Sequence, residues 1–166
     1  MQKASVEAIV RAFQEHDVRY IIVGGLAVVA HGYLRFTADV DVVVDFEPAN
    51  LERVEAALSL LEYQPRAPVP FAAFKDAATR HQWLHEKNML VFSLYSSQHA
   101  RTELDIFIEQ PFDFEVAFAR SEFKEIVPGI QARIVAFDDL MTLKTQAGRA
   151  QDLADIEQLN LLRGDA

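Results

Sequence analysis

Three aspartates lie inside stretches of sequence that otherwise predict buried strands. Asp39 and Asp41 alternate with apolar residues in the segment 37–45, TADVDVVVD. Because successive side chains of a strand point to opposite faces, both carboxylates belong to one face. Asp105 lies between two apolar residues of a later predicted strand, 103–109. If these two strands are neighbours in one sheet, the three carboxylates converge on one place.

Such a group of carboxylates predicts a site for a hard divalent cation. Like charges on one partly buried face repel each other and lose hydration, so a positive charge is needed between them. Mg²⁺ takes a few carboxylate oxygens together with phosphate and water oxygens, and two such ions can orient an attacking hydroxyl and a leaving pyrophosphate. A lone aspartate at a strand end is more often a turn cap or a solvent-facing residue, which is our interpretation of Asp45.

Gly24 and Gly25 follow the first predicted strand, residues 19–23, and precede a short apolar helix. Glycines at such a position let a phosphate approach backbone N–H groups. A glycine pair alone is more often only a tight turn, and this pair lacks the lysine of a Walker loop and the spacing of a dinucleotide motif. Only a short helix and a turn separate it from Asp39, so we expect the glycines to lie beside the carboxylates.

Hydrophobic periodicity around these residues predicts a single α/β unit with a helical C-terminus. The segments 88–95 and 103–109 are predicted to form an antiparallel hairpin, and residues 63–72 a proline-rich loop. The expected domain spans residues 1–166, with a core at about 18–136 and a helical part at about 138–163. Further strands are predicted at 19–23 and 37–45 and within 125–136. Helices are predicted near the N-terminus, after Pro48, near Phe114, and at 138–149 and 152–163. Residues 74–87 are ambiguous between helix and loop.

The composition excludes several classes of protein. The 166 residues include 16 basic and 25 acidic side chains, a net charge of −9, which argues against coating long stretches of nucleic acid. The chain has no cysteine, so disulfides, thiolate catalysis and cysteine-ligated zinc are excluded. No signal peptide and no apolar stretch of the ~20 residues that cross a bilayer is evident. We therefore expect a cytoplasmic protein with no membrane partner.

The segment VGGLAVVAHGYLRFTADVDVVVD resembles the signature of the nucleotidyltransferase superfamily related to DNA polymerase beta. That signature is a Gly-Gly or Gly-Ser turn, a short helix, a D-x-D pair and a third acidic residue on a later strand, matched here by Asp105. The R-x-T-x-D-x-D variant at residues 35–41 is similar to AbiEii-type and other minimal bacterial nucleotidyltransferases, although other members carry Gly-Ser where this chain has Gly-Gly. The resemblance implies an α/β (α+β) fold with a mixed β-sheet core flanked by helices.

The resemblance also implies the roles of the acidic and glycine residues. Asp39, Asp41 and Asp105 would be metal ligands and catalytic residues for two Mg²⁺ ions, with Mn²⁺ as an alternative. Asp105 would complete the second ion's shell or act as general base. Gly24 and Gly25 would contact the β- and γ-phosphates of a nucleoside triphosphate.

The remaining members of the implied nucleotide-binding set could instead have ordinary structural roles. Thr37 could bond a phosphate or cap its own backbone. Lys144, implied also as catalytic, either reaches a phosphate or extends to water from the inward side of its helix. Arg149 and Arg35 could add charge against the triphosphate or lie on the surface. Asp152, together with Asp155, could orient the basic side chains or simply solvate the last helix.

The expected activity is transfer of a nucleoside monophosphate from a nucleoside triphosphate to an acceptor hydroxyl, with release of pyrophosphate. The acceptor could be a tRNA end, a small molecule or a protein, and the partner a second copy of the chain or a toxin–antitoxin partner. The alternatives are a non-catalytic binding module, such as one component of a toxin–antitoxin pair, and a nucleotide hydrolase. His81 and His85 have the spacing of paired metal ligands, but HQWLH lacks the glutamate of H-E-x-x-H, and we interpret them as surface or pocket-edge residues.

Overall fold

A mixed seven-stranded sheet forms the centre of the computed structural model, which describes residues 1–164. The strand order in the sheet is β3-β4-β5-β2-β1-β7-β6. The strands are β1 (Tyr20–Ile22), β2 (Asp39–Val44), β3 (Gln64–Pro65), β4 (Val91–Tyr95), β5 (Glu103–Phe107), β6 (Glu122–Val127) and β7 (Ile130–Ile134). The helices are α1 (Lys3–Glu15), α2 (Gly24–Ala30), α3 (Pro48–Leu60), α4 (Phe71–Lys75), α5 (Ala77–Lys87), α6 (Phe114–Arg120), α7 (Phe137–Ala147) and α8 (Ala150–Gly164). The α/β class with a mixed sheet and C-terminal helices is as predicted.

The register of three central strands decides where the acidic residues lie. Strand β2 pairs with β5 in parallel, with Asp41 opposite Asp105 and Asp39 opposite Glu103. On its other side β2 pairs antiparallel with β1, and the N–H of Val23 donates to the carbonyl of Asp41 at 2.9 Å. The end of β1, where α2 begins, therefore lies next to the acidic part of β2. Two segments distant in sequence thus bring their carboxylates together.

The core explains why the strands are so apolar. Strand β1 is buried throughout, and Val40 and Val42 to Val44 of β2 are almost fully excluded from solvent, so these strands are covered on both faces. The hydrophobic effect of this burial stabilises the sheet; α1 packs against β7, and α3 packs on α1. Asp39 and Asp41 keep partial exposure on the opposite side of the β2 alternation. The acidic face is therefore the one part of β2 that the packing leaves open.

The predicted loop, residues 63–72, contains the two-residue strand β3 and the start of α4, with a loop only between them. The ambiguous segment 74–87 is mainly helical, in α4 and α5. Apolar side chains within it enter the core, and the ring of Trp83 stacks on Phe92 with centroids 5.5 Å apart. Pro65 ends β3 and Pro70 caps the start of α4, while Pro68 lies in the short loop between them. The predicted hairpin of β4 and β5 is confirmed.

Helices α7 and α8 pack on each other, and α7 also packs against α2. The C-terminal helices therefore lie beside the turn formed by Gly24 and Gly25, which we call the glycine turn. Gly148, with φ +61°, caps α7 in the left-handed conformation and allows the sharp change of direction into α8. No helix within residues 1–164 combines the length and the apolar character needed to cross a membrane.

Candidate active site

The three predicted carboxylates line one cleft, which we call the acidic cleft. It has a volume of about 430 Å³ and is open to solvent. Asp41 and Asp105 face each other across β2 and β5, and the glycine turn closes one wall. The lining residues are Gly24, Gly25, Arg35, Phe36, Thr37, Ala38, Asp39, Asp41, Asp105, Phe107, Lys144, Arg149, Gln151 and Asp152. All ten residues predicted for metal, nucleotide or catalytic roles are in this set.

The carboxylates of the acidic cleft carry negative charge that the protein does not fully neutralise. Burial and the nearby charges of Asp105 and Asp39 together raise the pKa of Asp41 to about 6, against the opposing effects of the Gly25 N–H and Lys144. Burial also raises the pKa of Asp105, although the hydroxyl of Ser93 opposes the shift. The Oδ1 atom of Asp105 is buried and accepts no hydrogen bond. A buried acceptor without a donor costs free energy unless a ligand satisfies it.

These properties fit a divalent cation bound together with a substrate. The donors are hard carboxylate oxygens, the ligand type that Mg²⁺ and Mn²⁺ prefer. Across residues 1–164, no three acidic or histidine side chains form a group that could hold a metal ion. An ion in the acidic cleft would therefore need oxygen ligands from phosphate and water besides the aspartates, as is usual for Mg²⁺ in phosphoryl-transfer sites.

The glycine turn touches the acidic residues so closely that no side chain fits there. A Cβ on Gly24 would lie 2.8 Å from the Cβ of Asp41 and closer still to its carboxylate. A Cβ on Gly25 would lie 2.9 Å from the Cβ of Thr37. Gly24 also has φ +63°, which side chains rarely adopt. The two glycines are thus required by the contact between the turn and the D-x-D segment.

We expect Gly24→Ala to displace Asp41 and to lower the free energy of unfolding. The matched control is Gly129→Ala, because Gly129 also has positive φ, +82°, but its Cβ would meet nothing within 4 Å. The control should lose only the roughly 1–2 kcal/mol of unfolding free energy that a side chain costs at positive φ. Denaturant unfolding of both variants measures the difference. Equal losses for the two variants would contradict the proposed clash with Asp41.

Lys144 is the centre of a buried ion-pair network. Its side chain is 6% exposed, and Nζ donates to Oδ1 of Asp152 at 2.9 Å and contacts Oδ2 of Asp155 at 2.8 Å. The lysine therefore does not extend to water, and Asp152 and Asp155 do not solvate the last helix. Burial raises the pKa of each aspartate, but hydrogen bonds from Lys144 and from Arg149 or Arg35 outweigh it, so both pKa values lie below the ordinary one.

The two predicted arginines lie at opposite ends of this network. Arg35 donates from Nη2 to Asp155 at 2.9 Å and is mostly buried, so it ties the segment before the D-x-D pair to α8. Arg149 donates from Nε to Asp152 at 2.7 Å, yet 77% of its side chain is exposed. The exposed Arg149 side chain can therefore turn toward a ligand, whereas Arg35 fixes the segment before the D-x-D pair. The Thr37 hydroxyl donates to the carbonyl of Asp39 at 3.4 Å, the backbone cap that was its alternative role.

Sequence reasoning missed part of the cleft. Gln151 lines it and donates to Oδ1 of Asp155 at 2.9 Å, one helical turn away, a spacing that could have indicated the contact. Phe107 lines it too, at the end of β5 two residues beyond Asp105, and carries no polar signal. His81 and His85 lie on α5, outside the cleft, with ring centroids 4.2 Å apart.

Comparisons with known proteins relate this architecture to one fold. No protein-family model and no curated protein sequence matches the chain. Among solved structures, the chain is similar to TM1012 of Thermotoga maritima, a proposed nucleotidyltransferase, at 12% identity and a TM-score of 0.56 over 98% of this chain and 92% of that one. It is also similar to ANT(2")-Ia, solved in complex with adenylyl-2"-tobramycin, at 13% identity and a TM-score of 0.57 over 98% and 94% of the two chains. At such identities the likeness shows that the chain has the nucleotidyltransferase fold.

Proposed function

We propose that this protein is a metal-dependent nucleotidyltransferase, which transfers a nucleoside monophosphate from a nucleoside triphosphate to an acceptor hydroxyl. The observation that carries the proposal is the convergence of Asp39, Asp41 and Asp105 opposite the Gly24–Gly25 turn in one open cleft. The raised pKa of Asp41 and the unsatisfied oxygen of Asp105 support a cation between them. The fold shared with nucleotidyltransferases is consistent with this activity.

Asp39, Asp41 and Asp105 are the residues that would hold Mg²⁺, as two ions, with Mn²⁺ able to replace it. Bound there, the ions would neutralise phosphate charge and lower the pKa of a bound hydroxyl. A phosphate chain lying along the turn would meet the Gly24 and Gly25 backbone on one side and Lys144 and Arg149 on the other. Asp152 would take part in nucleotide binding by orienting these two basic side chains. The exposed guanidinium of Arg149 is the group best placed to swing onto the phosphates.

In the transfer step the acceptor oxygen attacks the α-phosphorus and forms a new P–O bond. The bond between the α-phosphorus and the bridging oxygen breaks, and pyrophosphate leaves with that electron pair. Asp105 would complete the metal shell or take the acceptor proton, and burial raises the pKa of its carboxyl, which makes it a stronger base. Arg35 and Thr37 keep the D-x-D segment in place through their contacts with Asp155 and with the Asp39 carbonyl.

The acceptor is defined here only by its chemistry. A cleft with three aspartates and a chain of net charge −9 favour a cationic or neutral hydroxyl compound over a long polyanion. The bound compound in the ANT(2")-Ia structure is an adenylylated aminoglycoside. The other candidate acceptors are a tRNA end and a protein side chain. Either would be bound with the help of a second copy of this chain or of a partner such as an antitoxin. The resemblance of the R-x-T-x-D-x-D segment is the reason to propose the AbiEii-type subgroup.

Incubation with each α-labelled nucleoside triphosphate tests this proposal. We expect Mg²⁺-dependent label transfer to one member of a panel of tRNA, aminoglycosides and cell lysate, and no transfer by Asp39→Asn. Label found in free nucleoside monophosphate instead of an acceptor would identify a hydrolase. Nucleotide binding without any label release, or partner binding that Asp39→Asn leaves unchanged, would favour a non-catalytic binding module.

A further inference from the structure

A second cavity opens beside the acidic cleft, and we call it the apolar cavity. Its volume is about 300 Å³. One wall comes from Leu140, Leu143 and Ala147 of α7, whose spacing of three and four residues puts them on one helix face. The other wall includes Leu90 just before β4 and Phe107 at the end of β5. The cavity is therefore a hydrophobic space between the C-terminal helices and the sheet.

The apolar cavity adjoins the acidic cleft. Both spaces are lined by Gly24, Phe107, Lys144, Arg149 and Asp152, so the parts of one ligand can lie against the carboxylates and against the cavity wall. Leu90 is 67% exposed although it borders this cavity. A leucine at the mouth of a hydrophobic cavity gains burial when a flat apolar group enters.

We propose that the apolar cavity binds the nucleobase of the donor nucleotide, an inference that rests on the proposed function. Four of the five shared residues, all except Phe107, are those assigned to the triphosphate, so a nucleotide bound there has its base at the side of Leu143 and Phe107. A base is flat and largely apolar on its two faces, which suits walls of leucine, alanine and phenylalanine. A polycationic or strongly hydrated acceptor would lose hydration in this space without compensation. The acceptor then enters from the Asp39 side of the acidic cleft.

The lining also predicts which bases bind best. The walls are apolar, and the exposed Gln146 at the edge supplies an amide that can donate and accept. Discrimination therefore comes mainly from buried area, and a purine buries more than a pyrimidine. We expect purine nucleotides to bind roughly five-fold tighter than pyrimidine nucleotides.

Two tryptophan variants on the same helix test the proposal. Ala147→Trp fills the cavity from an exposed position of α7, and Thr145→Trp, also exposed but outside both spaces, is the matched control. Calorimetry with Mg²⁺ measures binding of ATP and of inorganic tripolyphosphate, which has no base. Ala147→Trp should weaken ATP binding by at least about 30-fold and leave tripolyphosphate binding within two-fold of the unmodified protein. Thr145→Trp should change neither.

The outcomes separate this inference from the proposed function. Unchanged ATP affinity in Ala147→Trp would overturn the inference while the proposed function stands. Unchanged ATP affinity with loss of label transfer would assign the cavity to the acceptor and also overturn it. If the unmodified protein bound neither ATP nor tripolyphosphate in the presence of Mg²⁺, the proposed function itself would fail. Parallel weakening of both ligands by Ala147→Trp would mean a disturbed triphosphate site rather than a base subsite.

Discussion

Asp41→Asn is expected to stabilise the folded protein while it abolishes nucleotide transfer. Burial and the charges of Asp105 and Asp39 hold the pKa of Asp41 at about 6, so its ionised form is disfavoured in the folded state. An asparagine of nearly the same shape removes that charge. We expect a gain of about 1–3 kcal/mol in the free energy of unfolding at pH 7.5 without divalent cations. Transfer activity should fall by roughly 10³-fold or more, since the charge serves the reaction.

The stabilisation by Asp41→Asn should depend on pH in a defined direction. The folded-state pKa of about 6 lies above the unfolded value of 3.8, so the folded protein binds more protons between these values. The contribution of Asp41 to stability is therefore fully present below pH 4 and is lost as pH rises through 6. The gain of the variant should vanish near pH 4 and reach its plateau above pH 6. Urea unfolding over pH 4–8 measures it.

The control for this prediction is Asp17→Asn. Asp17 is exposed and has φ 52°, a left-handed conformation that asparagine also tolerates, so the free energy of unfolding should change by less than about 0.5 kcal/mol. Added Mg²⁺ should raise the melting temperature of the unmodified protein but not that of Asp41→Asn, because only the former binds the ion in its folded state. A loss of stability in Asp41→Asn at pH 7.5 would contradict our account of the acidic cleft.

Lys144→Met is expected to cause the largest loss of stability among these variants. The lysine is 5% exposed and faces two buried aspartates, so its removal leaves two carboxylates with less compensation in a site shielded from water. Removing one partner of a buried ion pair costs about 3–5 kcal/mol. Denaturant unfolding at pH 7.5 measures this loss. Adding Asp152→Asn to Lys144→Met should restore part of it, because one uncompensated charge disappears.

Lys75→Met is the matched control for Lys144. Lys75 also contacts two carboxylates, those of Glu52 and Glu55 at 2.8 and 2.6 Å, but the glutamates are much more exposed. Ion pairs near the surface contribute about 0–1 kcal/mol, so the control should lose little. Similar losses for the two lysines would mean that the Lys144 network is not the structural centre that its burial indicates.

The acidic residues illustrate how far sequence reasoning reaches. The alternation in residues 37–45 placed Asp39 and Asp41 on one face, because a strand has a period of two whatever surrounds it. The same local rule predicted the strand at 103–109 that carries Asp105. That the two strands are parallel neighbours, with Asp41 opposite Asp105, is a property of the sheet and was only a condition in the prediction.

The basic residues show the limit more clearly. The position of Lys144 on α7 allows its side chain either to extend to water or to turn inward, and periodicity does not predict which direction it takes. Its burial depends on Asp152 and Asp155 arriving from the next helix, after the Gly148 turn. The partnership of Arg35 with Asp155 spans 120 positions, a distance over which no local pattern operates.

Local rules of periodicity, turn chemistry and charge thus determined from the sequence the strands other than β3, the Gly24–Gly25 turn and the candidate ligands. Tertiary structure alone decided that Lys144 is buried, that Arg35 is fixed by Asp155 and that Arg149 is exposed. It also placed an apolar cavity beside the acidic cleft. The reason is that side-chain direction along one element follows from its own repeat, whereas pairing, burial and cavity shape depend on elements far apart in the chain. Such long-range contacts leave no repeating signal in a single sequence.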